Sequence, residues 1–205
     1  MGFDEMAGSR RGVPIHIIVG GTKMNETLQT IKNRYACRSY TGEAIEQEKV
    51  EAIAMAAVQA PSAMNKQPWE IIVIRDKDFI EEMDAAVMDM FSKQEDKTSY
   101  NVMMSRGGKV FYNAPCMYVI AKKENSDLDC GIVAENIALA ASSLGLGNVI
   151  CGIAGLAYNT EKGKEFKAKV IPEGYEFGTT VLVGYATNEA GTPHEADVTK
   201  IKYIG

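Results

Sequence analysis

The stretch "DCGIVAENIALAASSLGLG", residues 129–147, carries a single charge, Glu135, between Asp129 and the closing glycines. Its spacing predicts a helix over 128–144 that is apolar on almost every side. A helix of that kind must be covered all round, either in the core of a domain or in an interface between subunits. The chain has 205 residues, 46% of them hydrophobic, which suits one compact α/β or α+β domain with a sizeable core. No apolar run is long enough to span a bilayer. A formal net charge of −5 argues against a nucleic-acid partner, whose binding depends on clustered Lys and Arg. The expected setting is the cytoplasm.

The elements around this helix follow from periodicity and breakers. A helix is expected over 25–35, capped by Asn25, with Leu28, Ile31 and Tyr35 at helical spacing. "ACRSYTGEAI" is an extended crossing with a turn at Thr41–Gly42. The next helix carries Val50, Ile53, Ala54, Ala57 and Val58 on one face and stops at Pro61. Trp69 to Arg75 is a strand, nearly apolar throughout and therefore expected in the centre of its sheet. An amphipathic helix over 78–91 precedes a polar stretch, 92–109. "VFYNAPCMYVIA" ends in a strand, "NVICGI" is a short strand entering a Gly-rich bend, 160–170 is a charged helix, and "EFGTTVLVGYA" is a long strand before an irregular tail. Helices and strands alternate without an even βαβ rhythm. That favours an α+β layout, with a mostly antiparallel sheet among helices.

Residues 1–23 read differently. They have no amphipathic period, and "VPIHIIV" is too short and interrupted for a signal peptide. Gly20–Gly21 lies just upstream of Met24, where its codons could spell a ribosome-binding site. Residues 1–23 are therefore expected to be a leader or mis-assigned extension, with one domain over 24–205; a segment packing on the domain or a partner is the alternative.

Four cysteines, Cys37, Cys116, Cys130 and Cys151, show no metal-ligand spacing and are expected as buried thiols. With two histidines in the chain, a His-based triad or His-rich metal centre is excluded, and no metal is expected.

Three constellations carry possible chemistry. In "RYACRSY", Arg34 and Arg38 bracket a helix end and could converge on one dianion; two solvated arginines are the plainer reading. In "APSAMNKQPWEIIVI", four hydrogen-bonding side chains, Ser62, Asn65, Lys66 and Gln67, stand between a buried helix and a buried strand. The amides of Asn65 and Gln67 offer donor and acceptor together, as reading the edge of a planar heterocycle requires; a polar turn is the plainer account. In "GLGNVICGIAG", Gly145, Gly147, Gly152 and Gly155 permit close backbone approach to a flat ligand, although a helix C-cap and turn would explain the first two.

Taken together and in this order, the segments "RYACR", "APSAMNKQPWEIIVI", "APCMYVIA" and "LAASSLGLG" resemble the nitroreductase family of flavoproteins, whose members carry motifs such as "RRSxR" and "APSxxNxQPWxFIVV". The resemblance runs from about Met24 to the C-terminus. It implies an intertwined homodimer with two flavin mononucleotide (FMN) sites at the subunit interface and NADH or NADPH as electron donor. The phosphate would be held by Arg34, Tyr35, Ala36 and Arg38 of one subunit. The ring would be met by Pro61, Ser62, Ala63, Asn65 and Gln67 of the other. A backbone N–H at Gly152, flanked by Cys151 and Ile153, would face the reactive ring nitrogen, with Lys109 or Arg106 as a cation near the pyrimidine. The flavin would perform the electron chemistry, so no side chain need act as nucleophile or base. Electrons would pass by ping-pong to a nitroaromatic, quinone or similar small acceptor, in a pocket formed by the 92–109 and 154–165 regions.

Two departures stand out. Ala36 occupies the position of the family's usual Ser. The tail, "NEAGTPHEADVTK", lacks the usual Lys or Arg, leaving His194 or Lys200 as substitutes. This thinned clamp, with a possible methionine pocket at Met64, Met103 and Met104, keeps a second reading open, a non-catalytic flavin carrier or redox sensor.

Overall fold

The computed structural model describes residues 24–205, so the expectation for 1–23 lies outside the described residues. Six α-helices and four strands run in the order α1 (Glu26–Asn33), α2 (Gln47–Val58), β1 (Trp69–Ile74), α3 (Lys77–Lys93), α4 (Thr98–Ser105), β2 (Cys116–Lys122), α5 (Asp127–Ser143), β3 (Gly147–Ile150), α6 (Gly163–Val170) and β4 (Glu176–Gly184). The sheet order is β1-β2-β4-β3, every pair antiparallel. This is the expected α+β class.

Helices cover both faces of the sheet. Alternation along the strands sends Tyr118, Ile120, Val181 and Val183 to one side, where α2 contributes Val50, Ile53 and Ala57 and α5 contributes Val133, Ala134, Ile137 and Ala141. Met117, Val119, Val149 and Leu182 face the other side, under Phe79, Met83 and Val87 of α3 and Phe166 and Val170 of α6. Burying such a side chain stabilises the fold by about 1.5–3 kcal/mol. A register shift between Ile120 and Ala121 leaves Gly178 unpaired. A Cβ there would lie 2.4 Å from the Cys130 sulfur and 2.9 Å from the Ile120 carbonyl, so the bulge requires glycine.

Two expectations change. The strand at 69–74 is not central: among the described residues β1 pairs with β2 alone and forms an edge. Its apolar run reflects helices covering both faces; Ile72 and Ile74 pack on one core and Ile71 and Val73 on the other. Coverage of faces fixes hydrophobicity, while position in the sheet fixes only backbone pairing. The polar stretch 92–109 contains a helix, α4, preceded by Asp96, whose carboxylate accepts the Thr98 N–H at 2.8 Å. Among its residues Met103 alone is buried, too little for an apolar stripe to show.

The apolar helix is present as α5, with Ile132, Leu139 and Ala140 left half-buried in a single chain. All four cysteines are free and buried. Among the described residues no helix is long and apolar enough to cross a membrane.

Candidate functional site

The arginine segment is built by a helix stop and three distant partners. Asn25 caps α1 by accepting the Leu28 N–H at 3.0 Å. The helix ends two residues earlier than its periodicity predicts, and Arg34, at φ −61° and ψ 136°, turns the chain extended. Ala36 then lies parallel to Asn148 of β3, and the Cys37 N–H donates to the Asn148 carbonyl at 2.8 Å. The Arg38 N–H reaches the Ala190 carbonyl at 3.3 Å. Tyr40 bridges to Ala186, its hydroxyl within 3.1 Å of the Cys37 carbonyl and 3.2 Å of the Leu182 carbonyl.

The two guanidiniums differ. Arg34 Nε lies 3.9 Å from Glu135 Oε1, with its side chain 20% exposed. Arg38 is exposed, and among the described residues its side chain reaches only the carbonyl of Ala36, two residues earlier, at 3.5 Å. Tyr35 packs beside Gly191, where a Cβ would meet its ring at 3.6 Å; burial raises its phenol pKa.

The amide loop has an unusual backbone. Met64, Asn65 and Gln67 have φ of 53°, 53° and 47°, a left-handed conformation uncommon outside glycine. Local bonds sustain it: Ser62 Oγ accepts the Gln67 N–H at 2.9 Å, and Asn65 Oδ1 accepts from Gln67 Nε2 at 3.2 Å. The Ala63 N–H donates to Asp129 Oδ1 at 3.4 Å, tying the loop to the start of α5. Pro61, Ala63, Asn65 and Gln67 are exposed, and Met64 is 82% exposed at the tip.

The glycine bend follows β3 directly. The Cys151 N–H donates to the Thr180 carbonyl at 2.7 Å. A 3₁₀ segment, Gly152–Asn159, then turns the chain. Cys151 is buried, its thiol pushed up to about 11 by desolvation. Ile153 packs against the core. A Cβ on Gly152 would meet nothing within 4 Å, so a flat ligand has room against this backbone.

Lys109 occupies a turn before β2. Its Nζ lies 3.2 Å from Asn113 Oδ1 and 3.6 Å from Glu81 Oε1, beside a cavity of about 520 Å³ lined by Ile80, Asp84, Met88, Phe111 and Pro115. Arg106 ends α4 and is exposed.

The fold therefore brings Arg34, Tyr35, Ala36 and Arg38 alongside β3, the strand that leads into Cys151, Gly152 and Ile153. Among the described residues no hydrogen bond or ion pair joins them to the 61–67 loop or to Lys109. His194 and Lys200 lie in the exposed tail, Lys200 3.9 Å from Asp197. The three methionines do not share a pocket, because Met103 is buried in the core while Met64 and Met104 are exposed elsewhere. Asn113 touches Lys109 and Glu135 touches Arg34 without any motif announcing them, and Asp84 bonds the backbone of Val110 and Phe111 just after Lys109.

The family model described as the nitroreductase family matches residues 31–163. The chain belongs to the nitroreductase family. Among solved nitroreductases, one from Desulfitobacterium hafniense with bound FMN is 44% identical, with a TM-score of 0.84 over 89% of this chain and all of that one. An FMN-dependent nitroreductase from Clostridium difficile is 28% identical, with a TM-score of 0.72 over 88% of this chain and 99% of that one. The Archaeoglobus fulgidus relative, named for NADH dehydrogenase/NAD(P)H nitroreductase activity, is 32% identical across 85% of this chain and 92% of its own length. The family match spans all three constellations and ends before the tail, where His194 and Lys200 lie.

Proposed function

We propose that this nitroreductase is an FMN-dependent NAD(P)H oxidoreductase, acting as an intertwined homodimer in which each flavin site draws on both subunits. One observation carries the reading. The exposed Arg38 guanidinium and the open Gly152 backbone lie on one part of the chain, and the exposed amides of Asn65 and Gln67 lie on another. Each half offers what one portion of FMN needs. A phosphate dianion calls for unspent cations. A heterocycle edge calls for amides with donor and acceptor side by side. A ring face calls for backbone without a Cβ. The residues present fit the group.

Dimerisation would bring the halves together. The half-buried Ile132, Leu139 and Ala140 of α5 need a cover that a second copy would provide. The open edge of β1 and a tail whose Tyr203 and Ile204 are almost wholly exposed favour exchange of segments between subunits.

Bound FMN supplies two-electron chemistry, a hydride received from NADH or NADPH and electrons passed by ping-pong to a nitroaromatic, quinone or similar small acceptor. The chain's own residues set the conditions. Arg34 and Arg38 hold the phosphate. Asn65 and Gln67 fix the in-plane orientation of the ring. The Gly152 N–H favours the electron-rich form of the ring nitrogen it faces. Lys109 balances negative charge gained by the pyrimidine. His194 or Lys200 supplements the phosphate clamp where the usual tail cation is missing.

The test is whether purified protein carries flavin near one per chain and oxidises NADH or NADPH with menadione or a nitrofuran as acceptor. A fully flavinated protein with no turnover on either acceptor would leave a carrier.

A further inference from the structure

The turn at residues 109–113 is held from both sides. From α3, the Asp84 carboxylate, 6% exposed, accepts the Val110 N–H at 3.1 Å and the Phe111 N–H at 2.7 Å. A carboxylate so deeply buried persists only with donors of this kind; desolvation still pushes its pKa upward. Tyr112 and Asn113 follow at φ of 54° and 66°, left-handed values that a side-chain-bearing turn leaves unless it is tethered.

The second tether is the crossing segment. The Tyr40 N–H donates to the Tyr112 carbonyl at 3.2 Å, and Asn113 Nδ2 donates to the Tyr40 carbonyl at 3.4 Å. Gly42 presses on the same amide, since a Cβ there would lie 2.5 Å from Asn113 Nδ2. With its NH2 group so occupied, Asn113 presents Oδ1 to Lys109 Nζ at 3.2 Å. Glu81 shares the same ammonium, as an ion pair at 3.6 Å. Without the amide, the existing ion pair with Glu81 would take Lys109 over entirely.

We propose that Asp84 and Asn113 are positioning residues of the flavin site: together they set the turn on which Asn113 shares the Lys109 ammonium with Glu81 and so keeps it available to the ring. This inference rests on the placement of Lys109 beside FMN given above. Neither residue touches the flavin. Both act through the direction in which one cation points.

The midpoint potential of FMN bound to the intact protein reads this directly, because a nearby cation stabilises the reduced, more negative ring. Lys109→Gln should make the potential more negative. Asn113→Gly, chosen because glycine accepts the left-handed backbone, should also make it more negative in the wild-type background and should add nothing once Lys109 is Gln. Asp84→Asn removes an anion as well as a tether. It should therefore shift the potential further in the positive direction in the Lys109→Gln background than in the wild type, where loosening Lys109 opposes the gain. Such non-additivity is the mark of action through a shared group. Equal shifts in the two backgrounds would overturn the proposal, since a merely structural role lowers melting temperature and FMN affinity without coupling to Lys109. If Asp84→Asn fails to fold, the Asn113→Gly pair decides alone. If Lys109→Gln leaves the potential unchanged while flavin is retained, the FMN reading stands, but the placement of Lys109 and this proposal both fall.

Discussion

Replacing Arg38 by Ala tests the phosphate clamp with little collateral damage. The Arg38 side chain is exposed and, among the described residues, makes one hydrogen bond, 3.5 Å to the carbonyl of Ala36; its structural tie is the backbone N–H to Ala190, which alanine retains. Losing such a surface side chain changes stability by no more than about 0.5 kcal/mol, under about 2 °C in Tm for a chain of this size. A hydrogen bond to a charged group contributes about 1.5–3 kcal/mol, so FMN affinity should fall roughly 10- to 150-fold. Riboflavin, which lacks the phosphate, should bind wild type and variant almost equally. Both flavins are titrated into apo-protein by fluorescence quenching, with a melting curve alongside. Equal losses for FMN and riboflavin would mean that Arg38 supports structure, and the phosphate assignment would fall. Arg34 is a poorer probe, because removing it also breaks the pairing with Glu135.

The remaining predictions are briefer. Ala36→Ser should hold or tighten FMN binding by returning a hydroxyl to the clamp; weakened binding in the same titration would count against a phosphate near this position. Gly184→Ala would place a Cβ 2.6 Å from Pro115 Cδ and 2.9 Å from Tyr40 Cδ1, so overpacking should cost about 1–3 kcal/mol, or roughly 2–12 °C in Tm; an unchanged melting curve would show that the crossing segment is free to shift. Burial pushes the thiols of Cys130 and Cys151 up to about 11 and that of Cys116 to about 12. At pH 8 their thiolate fraction is on the order of one in a thousand or less, and iodoacetamide should label none of the three before denaturation, as mass spectrometry can check. Sedimentation should give a flavin-loaded dimer, and a stable flavin-loaded monomer would remove the two-subunit site.

What was legible in the sequence divides along physical lines. Helices α2 and α3 were readable because burial of one face imposes a period, and α5, β2 and β4 because apolar runs end at clear breakers; both signals survive without knowledge of neighbours. The edge position of β1 was not, since a strand covered on both faces reads the same at an edge as in the centre. Helix α4 was hidden because one buried methionine makes no stripe. At the candidate site, the segments carrying Arg34, Arg38, Asn65, Gln67 and Gly152 each allowed a plainer reading, and only their resemblance, in order, to the nitroreductase family singled these residues out. Asp84 was not: one of five carboxylates on an amphipathic helix gives no hint that two N–H groups 26 and 27 residues later in the chain will meet it.

The segment carrying both arginines is held by Asn148, Ala186 and Ala190, all made long after it. On a translating ribosome at about 5–20 residues per second, roughly 8–30 s pass between synthesis of Arg38 and of Ala190. Throughout that interval the nascent chain has its arginines and its amide loop, but no sheet partner in the tail to lay the arginine segment down. If the arginines hold the phosphate as proposed, capture of cofactor is reserved for a chain whose tail has been made, and a product truncated before β4 would compete for neither flavin nor partner.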